Sequence, residues 1–101
     1  MKPGFIYSIT NKYQTVVYTG VTSNLRQRIL VHKEKRHPTS FSARYNVNVL
    51  VYYEQFQWID DAIAREKQIK ASSREIKNTL IRSTNPYWKD LFEEIKDIMT
   101  E

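Results

Sequence analysis

The chain has 101 residues, of which 41% are hydrophobic and 13% aromatic, as is typical of one small globular domain and not of a disordered segment. It contains no cysteine, which excludes disulfides, cysteine-based zinc clusters and thiol nucleophiles. No apolar run approaches the roughly 20 residues that span a bilayer, and no apolar signal segment follows Lys2. We therefore expect a single-domain cytoplasmic protein over residues 1–101, with no membrane partner.

The net charge of +5 is concentrated in the first half of the chain. Residues 1–58 carry eight Lys or Arg and two acids, whereas residues 59–101 carry eight Lys or Arg and nine acids. A basic half favours a polyanion, because phosphate contacts release counterions. The charge alone is equally compatible with a surface that only keeps the chain soluble. If nucleic acid is the partner, the expected contacts lie in the stretch 26–44 and are Arg26, Lys33, Lys35, Arg36 and Arg44.

A β-hairpin is predicted at the start of the chain. Residues 4–10 and 15–22 are rich in β-branched and aromatic residues, and the four residues 11–14 connect them. A register symmetric about this connection places Tyr7 opposite Tyr18, so that both side chains project from one face. Such a pair commonly only packs. Gly20 leaves the same face bare, which would let another backbone or a ligand approach.

One further strand and four helices are predicted after the hairpin. In chain order they are a helix from 23 or 24 to 36, an irregular stretch over 38–47, a strand over 48–56, and helices over 60–71, over 73–82 and from Asn85 onward. Asn85 would cap the last helix, with Pro86 in its first turn. Its apolar stripe is expected to pack into the core and consists of Trp88, Leu91, Phe92, Ile95, Ile98 and Met99.

Polar side chains lie beside the predicted apolar stripe of the first helix. Arg28 and His32 are four residues apart and therefore share a face. An arginine there can present its planar fork to a phosphate. The structural alternative is that Arg28 covers the edge of the core while His32 packs half-buried, and for these two residues alone that alternative is favoured.

Glu66 lies at the centre of the apolar face of the predicted helix 60–71, between residues such as Ala62 and Ile69. A carboxylate directed at a core is costly unless it is paired, hydrogen-bonded or bound to a metal. An ion pair with Lys70, one turn later, would satisfy it. A hard cation such as Mg²⁺ would also satisfy it, and this functional interpretation is preferred because a surface pair has no need of the apolar face.

Five short motifs occur in order along the chain, and together they resemble the GIY-YIG nuclease superfamily, in particular its small single-domain members similar to the N-terminal domain of the bacterial excision-repair incision nuclease. They are Phe5–Tyr7, Tyr18–Gly20, Asn24–His32, Arg65–Lys70 and Asn85–Leu91. The motif region spans 4–70, followed by C-terminal helices within 73–100. The resemblance implies an α+β fold with a small three-stranded antiparallel sheet flanked by about four helices.

The resemblance also implies metal-dependent hydrolysis of a phosphodiester, with one Mg²⁺ or Mn²⁺ ion and no organic cofactor. DNA is the favoured substrate, with branched or damaged DNA among the candidates. By position, the catalytic residues would be Tyr7, Tyr18, Arg28, His32 and Glu66. Arg28 would stabilise charge on the phosphate and Glu66 would hold the ion. The first motif has Phe5 where relatives have Gly, and neither this change nor Thr19 in the second motif removes a chemical group.

The general base is left open between the two motif tyrosines and His32, because a phenol is a poor base at neutral pH. Two other classes of function are weighed. The domain could bind nucleic acid through the basic stretch 26–44 without cutting it. It could also be an interaction module that uses an acidic C-terminal helix.

Overall fold

Three antiparallel strands form the centre of the fold in the computed structural model, which describes residues 2–34 and 44–96. They are β1 (Gly4–Thr10), β2 (Val17–Thr22) and β3 (Val49–Phe56), in the spatial order β2-β1-β3. β1 is the central strand, and all seven of its residues are buried. A side chain on β1 is therefore enclosed by the two neighbouring strands and by the helices that cover the faces of the sheet.

Helices cover both faces of the sheet. Within the described ranges they are α1 (Leu25–Lys33), α2 (Ile59–Lys70), α3 (Arg74–Thr84) and the short α4 (Phe92–Ile95). The predicted α+β class, with its three-stranded antiparallel sheet and four helices, is confirmed. None of these helices has both the length and the apolar character needed to cross a membrane.

The alternation of side chains along the strands produces two separate cores. The first core lies beneath α1 and α4, and its buried members are Phe5, Tyr7, Ile9, Leu25, Ile29, Val47, Leu50, Leu91 and Ile95. The second core lies beneath α2 and α3, and its buried members are Ile6, Val51, Tyr52, Ala62, Ile69 and Ile81. Both motif tyrosines face the first core, with Tyr18 packed at its margin.

Helix starts follow the expected capping chemistry at two places. The Asn24 side chain accepts a hydrogen bond from the backbone N–H of Gln27, and Ser73 accepts one from that of Ile76. The predicted ranges of α2 and α3 agree with the structure to within two residues. The predicted end of the first helix, near Arg36, lies outside the described residues.

The predicted register of the hairpin is wrong by two residues. Tyr7 pairs with Gly20, and Tyr18 pairs with Ile9. The turn is longer than predicted because the Asn11 side chain accepts hydrogen bonds from the N–H groups of Thr15 and Val16, which holds both residues out of β2. A shift of two keeps every side chain on its predicted face, since the side-chain period of a strand is two. Tyr7 and Tyr18 therefore still share a face, as diagonal neighbours.

The hairpin turn is also fixed from outside. The guanidinium group of Arg74, at the start of α3, donates to the carbonyl oxygens of Gln14 (2.8 Å) and Thr15 (3.2 Å). Gln14 has a φ of 59°, in the left-handed region. This contact joins the tip of the hairpin to a helix nearly 60 residues later in the chain.

The prediction that Asn85 and Pro86 begin the last helix is wrong. Asn85 instead follows α3 and is 3% exposed, and the next helix among the described residues begins only at Phe92. The Asn85 side chain donates to the carbonyls of Val51 and Lys89 and accepts from the N–H of Lys89. Asn85 thus ties an irregular segment to β3. Of the predicted stripe, Leu91 and Ile95 enter the first core and Phe92 packs partly buried against it. Trp88 packs on the second core, and residues 98 and 99 lie outside the described ranges.

Replacing Asn85 by Ala should destabilise the fold by about 1–3 kcal/mol, because the buried Val51 carbonyl loses a partner. For a domain of this size each kcal/mol corresponds to a fall in Tm of about 4–8 °C. Thermal melts followed by circular dichroism would measure the change. The exposed neighbour Thr84→Ala is the matched control. An equal Tm for both variants would contradict the structural role of the Asn85 side chain.

Candidate active site

Three aromatic side chains from three elements meet on the first-core side of the sheet. Tyr7 of β1, Tyr18 of β2 and His32 of α1 have ring centroids 5.7–6.4 Å apart. The Tyr7 hydroxyl and His32 Nε2 are 3.1 Å apart and share a hydrogen bond. Tyr7 is fully buried, whereas the other two rings are half-buried. A phenol and an imidazole are therefore hydrogen-bonded to each other at the buried end of a partly open site.

Gly20 makes room for this arrangement. A Cβ atom at residue 20 would overlap the Tyr7 hydroxyl and ring, because the Tyr7 side chain lies directly over its pairing partner. The bare face predicted at Gly20 is thus occupied by Tyr7 of the same hairpin and not by a ligand or a further backbone. The glycine fixes where the phenol can lie.

The guanidinium group of Arg28 lies next to the Tyr7 hydroxyl. Arg28 is exposed, one helical turn before His32, and α1 is held down by buried Leu25 and Ile29. Burial raises the pKa of Tyr7 above its ordinary value, and Tyr18 and Glu66 raise it further. The charge and hydrogen-bonding capacity of Arg28 act in the opposite direction and lower that pKa. The net shift of the Tyr7 pKa is upward, so the phenol stays protonated well into the alkaline range, with a cation beside its oxygen.

Glu66 approaches the site from α2. Its side chain is only 16% exposed and forms an ion pair with Lys70 at 3.2 Å. Lys70 Nζ in turn lies 5.5 Å from the centroid of the Tyr18 ring. The structural alternative considered for Glu66, a pair with Lys70, is thus present. The carboxylate is nevertheless near enough to Tyr7 to affect the pKa of the phenol, so the pair lies beside the ring cluster.

The structure therefore brings together all five residues predicted to be catalytic. Tyr7 and His32 are hydrogen-bonded, Tyr18 packs against both rings, and Arg28 and Glu66 act electrostatically on the Tyr7 hydroxyl. Their catalytic roles stay predictions.

The available donors restrict how a metal could be held. In the described ranges, no three His, Cys, Asp or Glu side chains are grouped as a metal cage would require. Glu66 supplies one carboxylate, and Mg²⁺ keeps several waters and is commonly bound by one or two carboxylates together with substrate phosphates. The donor set fits an ion held jointly by Glu66 and a phosphate, and does not fit an all-protein cage.

The predicted phosphate-contacting residues are placed unequally. Arg26 and Arg44 are exposed. Lys33 Nζ donates to Asp90 at 2.6 Å and to the Asn48 carbonyl at 2.9 Å, so its charge is already paired in the structure. Residues 35 and 36 lie outside the described ranges. Binding by these residues remains a prediction.

One network near the site was missed by the sequence analysis. Glu54 of β3 accepts hydrogen bonds from Arg65 of α2 at 3.0–3.2 Å and from the hydroxyl of Tyr52. Burial and the Glu54 hydrogen bond raise the pKa of Tyr52 to about 12. Arg65 directly precedes Glu66, so this pair anchors α2 at the residue next to the candidate ligand. The alternation of Tyr52 and Glu54 on one face of β3 was the available signal.

Comparison with known proteins agrees with this geometry. The GIY-YIG catalytic domain family matches residues 3–80, and the chain belongs to this nuclease-type family, whose members act on nucleic acids. A UPF0213 protein of Staphylococcus haemolyticus (strain JCSC1435) is 35% identical over 81 residues, covering 80% of this chain and 96% of that protein. No solved structure gives a significant match. The resemblance drawn from the five motifs is confirmed.

Gly20→Ala should destabilise the fold by about 1–3 kcal/mol, because the added methyl group overlaps the Tyr7 ring. The same substitution made together with Tyr7→Leu should cost much less, since the overlapping ring atoms are gone. Chemical denaturation of the wild type, both single variants and the double variant gives the coupling energy. Additive effects would show that Gly20 does not serve to seat Tyr7.

The buried Tyr7 should also make stability depend on alkaline pH. Because its pKa is raised on folding, the phenolate is less stable in the folded than in the unfolded chain. Stability contributed by the neutral phenol is fully present below about pH 10 and is lost as the pH rises above it. Urea denaturation at pH 8 and pH 11 should show a smaller loss for Tyr7→Phe than for the wild type. Equal losses would contradict the raised pKa.

Proposed function

We propose that this protein is a divalent-metal-dependent endonuclease that hydrolyses phosphodiester bonds in DNA. The observation that carries the proposal is the hydrogen bond between the Tyr7 hydroxyl and His32, with Arg28 and Glu66 both acting on that hydroxyl. Membership of a nuclease-type family supports the reaction class. Metal dependence and DNA as the substrate go beyond the family match and are part of the proposal.

Arg28 is assigned to the phosphate. Its guanidinium group is exposed and lies beside the buried phenol, so a phosphate entering the open side of the site would meet it first. A planar guanidinium can donate two parallel hydrogen bonds to phosphate oxygens. Its charge would then stabilise the extra negative charge that develops on the phosphoryl oxygens in the transition state.

Tyr7 and His32 are assigned to proton transfer. Tyr7 is protonated at neutral pH, so it cannot accept a proton unless it loses its own. We assign the acceptor role to His32: the Tyr7 proton moves to His32 Nε2 as Tyr7 takes a proton from the attacking water. The water oxygen forms the new P–O bond, the leaving oxygen departs with the electron pair of the broken P–O bond as an oxyanion, and His32 is left as imidazolium. The raised pKa of Tyr7 makes its oxygen a stronger base at that moment.

Glu66 is assigned to the metal. Its carboxylate, together with a substrate phosphate, would hold one Mg²⁺ or Mn²⁺ ion, which supplies charge stabilisation for the leaving oxygen. Binding the ion would exchange the Lys70 ammonium group, now 3.2 Å from Glu66, for a stronger cation. The Lys70 ammonium group could then stay over the ring of Tyr18 or contact a phosphate of the substrate backbone.

The proposal is tested by cleavage of duplex, nicked, branched and single-stranded DNA, and of RNA, with Mg²⁺, with Mn²⁺ and with EDTA. Cleavage should require the metal. Arg28→Ala and Glu66→Gln should each lower kcat/KM by about a hundredfold or more, as the loss of one transition-state contact does. Tyr7→Phe and His32→Ala should lower kcat more than they raise KM.

Matched controls separate chemistry from folding and charge. Arg82→Ala and Glu75→Gln change exposed residues of α3 and should cut like the wild type. Lys70→Met removes the ion pair but keeps the Glu66 carboxylate, so it should retain much more activity than Glu66→Gln. If Arg28→Ala and Glu66→Gln cut as well as the wild type, the assigned site is wrong.

A second candidate function is binding of nucleic acid without cleavage. One observation in its favour is that Glu66 already forms an ion pair with Lys70. Another is that Arg26 and Arg44 are exposed, where they can contact phosphates. Salt-sensitive binding that persists in Glu66→Gln, with no cleavage of any substrate by the wild type, would select this function.

A further inference from the structure

A second cleft lies at the turn end of the hairpin, away from the ring cluster. Its volume is about 270 Å³, and it opens between the turn after β1 and the segment that leads into β3. None of the described residues that line it is acidic. The lining residues are Asn11, Lys12, Tyr13, Tyr45, Asn46 and Asn48.

Two tyrosine rings on this cleft are exposed, and each has a cation beside it. Tyr13 is 76% exposed and Tyr45 is 45% exposed. Lys12 Nζ lies 5.7 Å from the centroid of the Tyr13 ring, and the guanidinium carbon of Arg44 lies 5.9 Å from that of Tyr45. A single exposed aromatic residue needs no explanation. Two such rings with adjacent positive charges, facing one cleft, form a surface suited to a flat anionic ligand.

The rings are carried by backbone that the rest of the domain holds in place. The Asn11 side chain and Arg74 together fix the turn that presents Tyr13. On the other wall, buried Val47 anchors the segment that presents Tyr45, and the Asn48 N–H donates to the Thr10 carbonyl at 3.1 Å. Both walls are therefore tied to β1, and little ordering would be needed when a ligand binds.

We infer that this cleft binds an unpaired nucleotide of a nucleic acid strand. The base would stack on Tyr13 or Tyr45, the Asn48 side-chain amide would donate to or accept from its edge, and Lys12 and Arg44 would contact the neighbouring phosphates. A base within a duplex cannot enter, because its faces are already stacked and its pairing edge is occupied. The chemistry is shared by single-stranded DNA and RNA.

The location gives the inferred site a place along the substrate. It rests on the proposed nuclease function, which it deepens by naming an unpaired segment of the substrate. Asn11 follows Tyr7 by four residues of extended chain, which is about 13 Å. The cleft would therefore hold a nucleotide a few steps along the strand from the phosphate at Arg28. A substrate with an unpaired stretch next to the cut, such as a branch, flap or overhang, fits both sites at once.

The test is binding without cleavage, measured in EDTA by fluorescence anisotropy of labelled oligothymidylate, oligouridylate and a duplex of equal length. At least one of Tyr13→Ala and Tyr45→Ala should weaken binding of a single-stranded probe about fivefold or more, as expected for loss of one stacked base. Binding of the duplex should change by less than twofold. Tyr13→Phe and Tyr45→Phe keep the ring and should bind like the wild type.

Tyr87→Ala is the matched control, since Tyr87 is 89% exposed and does not line the cleft. A probe with 2-aminopurine gives a readout specific for stacking: its fluorescence should fall on binding to the wild type and recover in Tyr13→Leu or Tyr45→Leu. Equal affinities of all variants, unchanged 2-aminopurine fluorescence, or no measurable binding of either single-stranded probe by the wild type would overturn the inference. So would an equal loss of duplex binding in the alanine variants.

The outcome is separable from that of the proposed function. A protein that cuts with Mg²⁺ but binds single strands independently of both rings retains the nuclease assignment and loses the cleft. A protein that binds single strands through the rings but cuts no substrate retains the cleft as a binding site and loses the nuclease assignment.

Discussion

The placement of the Tyr7 side chain over Gly20 is the constraint on which the rest of the site depends. The central strand supplies the phenol, and the edge strand supplies the space for it. Because the ring is fully buried, its hydroxyl has few possible partners, and α1 provides one in His32 at 3.1 Å. The same helix turn then brings Arg28 to the phenol oxygen. One missing Cβ atom thereby sets the positions of a phenol, an imidazole and a guanidinium group.

The division of the interior into two cores raises the question of how the Glu66 carboxylate, on the second-core side, comes near the Tyr7 phenol on the first-core side. α2 packs on the second core, yet Lys70 near its end reaches the Tyr18 ring of β2, the outermost strand on that side. Glu66 follows the same path and is held by Lys70. On the other side of α2, Arg65 forms an ion pair with Glu54 of β3. The helix is therefore held at two adjacent residues, which limits how far the carboxylate can move from the rings.

Much of this arrangement was predictable from the sequence, and the failures have identifiable causes. The β-branched and aromatic content predicted the strands, and residues typical of helix starts predicted α1 to α3. The side-chain period of a strand predicted the shared face of Tyr7 and Tyr18. The predicted register was wrong because Asn11 builds a wider turn through its side chain, a local effect of one polar group that an assumption of symmetry about the turn cannot reveal. Asn85 was misassigned because an Asn-Pro pair is a typical helix start, while its burial against β3 depends on tertiary contacts. The spacing of Tyr52 and Glu54 on one face of β3 was a signal for the network around Glu54, but the partner Arg65 could not be predicted, since it is 11 residues away from Glu54 and on a different element.

The position of β1 at the centre of the sheet has a consequence for how the chain reaches its folded state. β1 is the earliest strand in the sequence, but its partner β3 lies about half the chain away, with Gly4 paired to Phe56. The β1–β2 hairpin can form locally, whereas a lone hairpin is at best marginally stable in water. During synthesis the most buried strand must therefore wait, with one edge unpaired, until β3 has left the ribosome. Closure of the sheet, and with it assembly of the site around Tyr7, is expected to be a late and slow step.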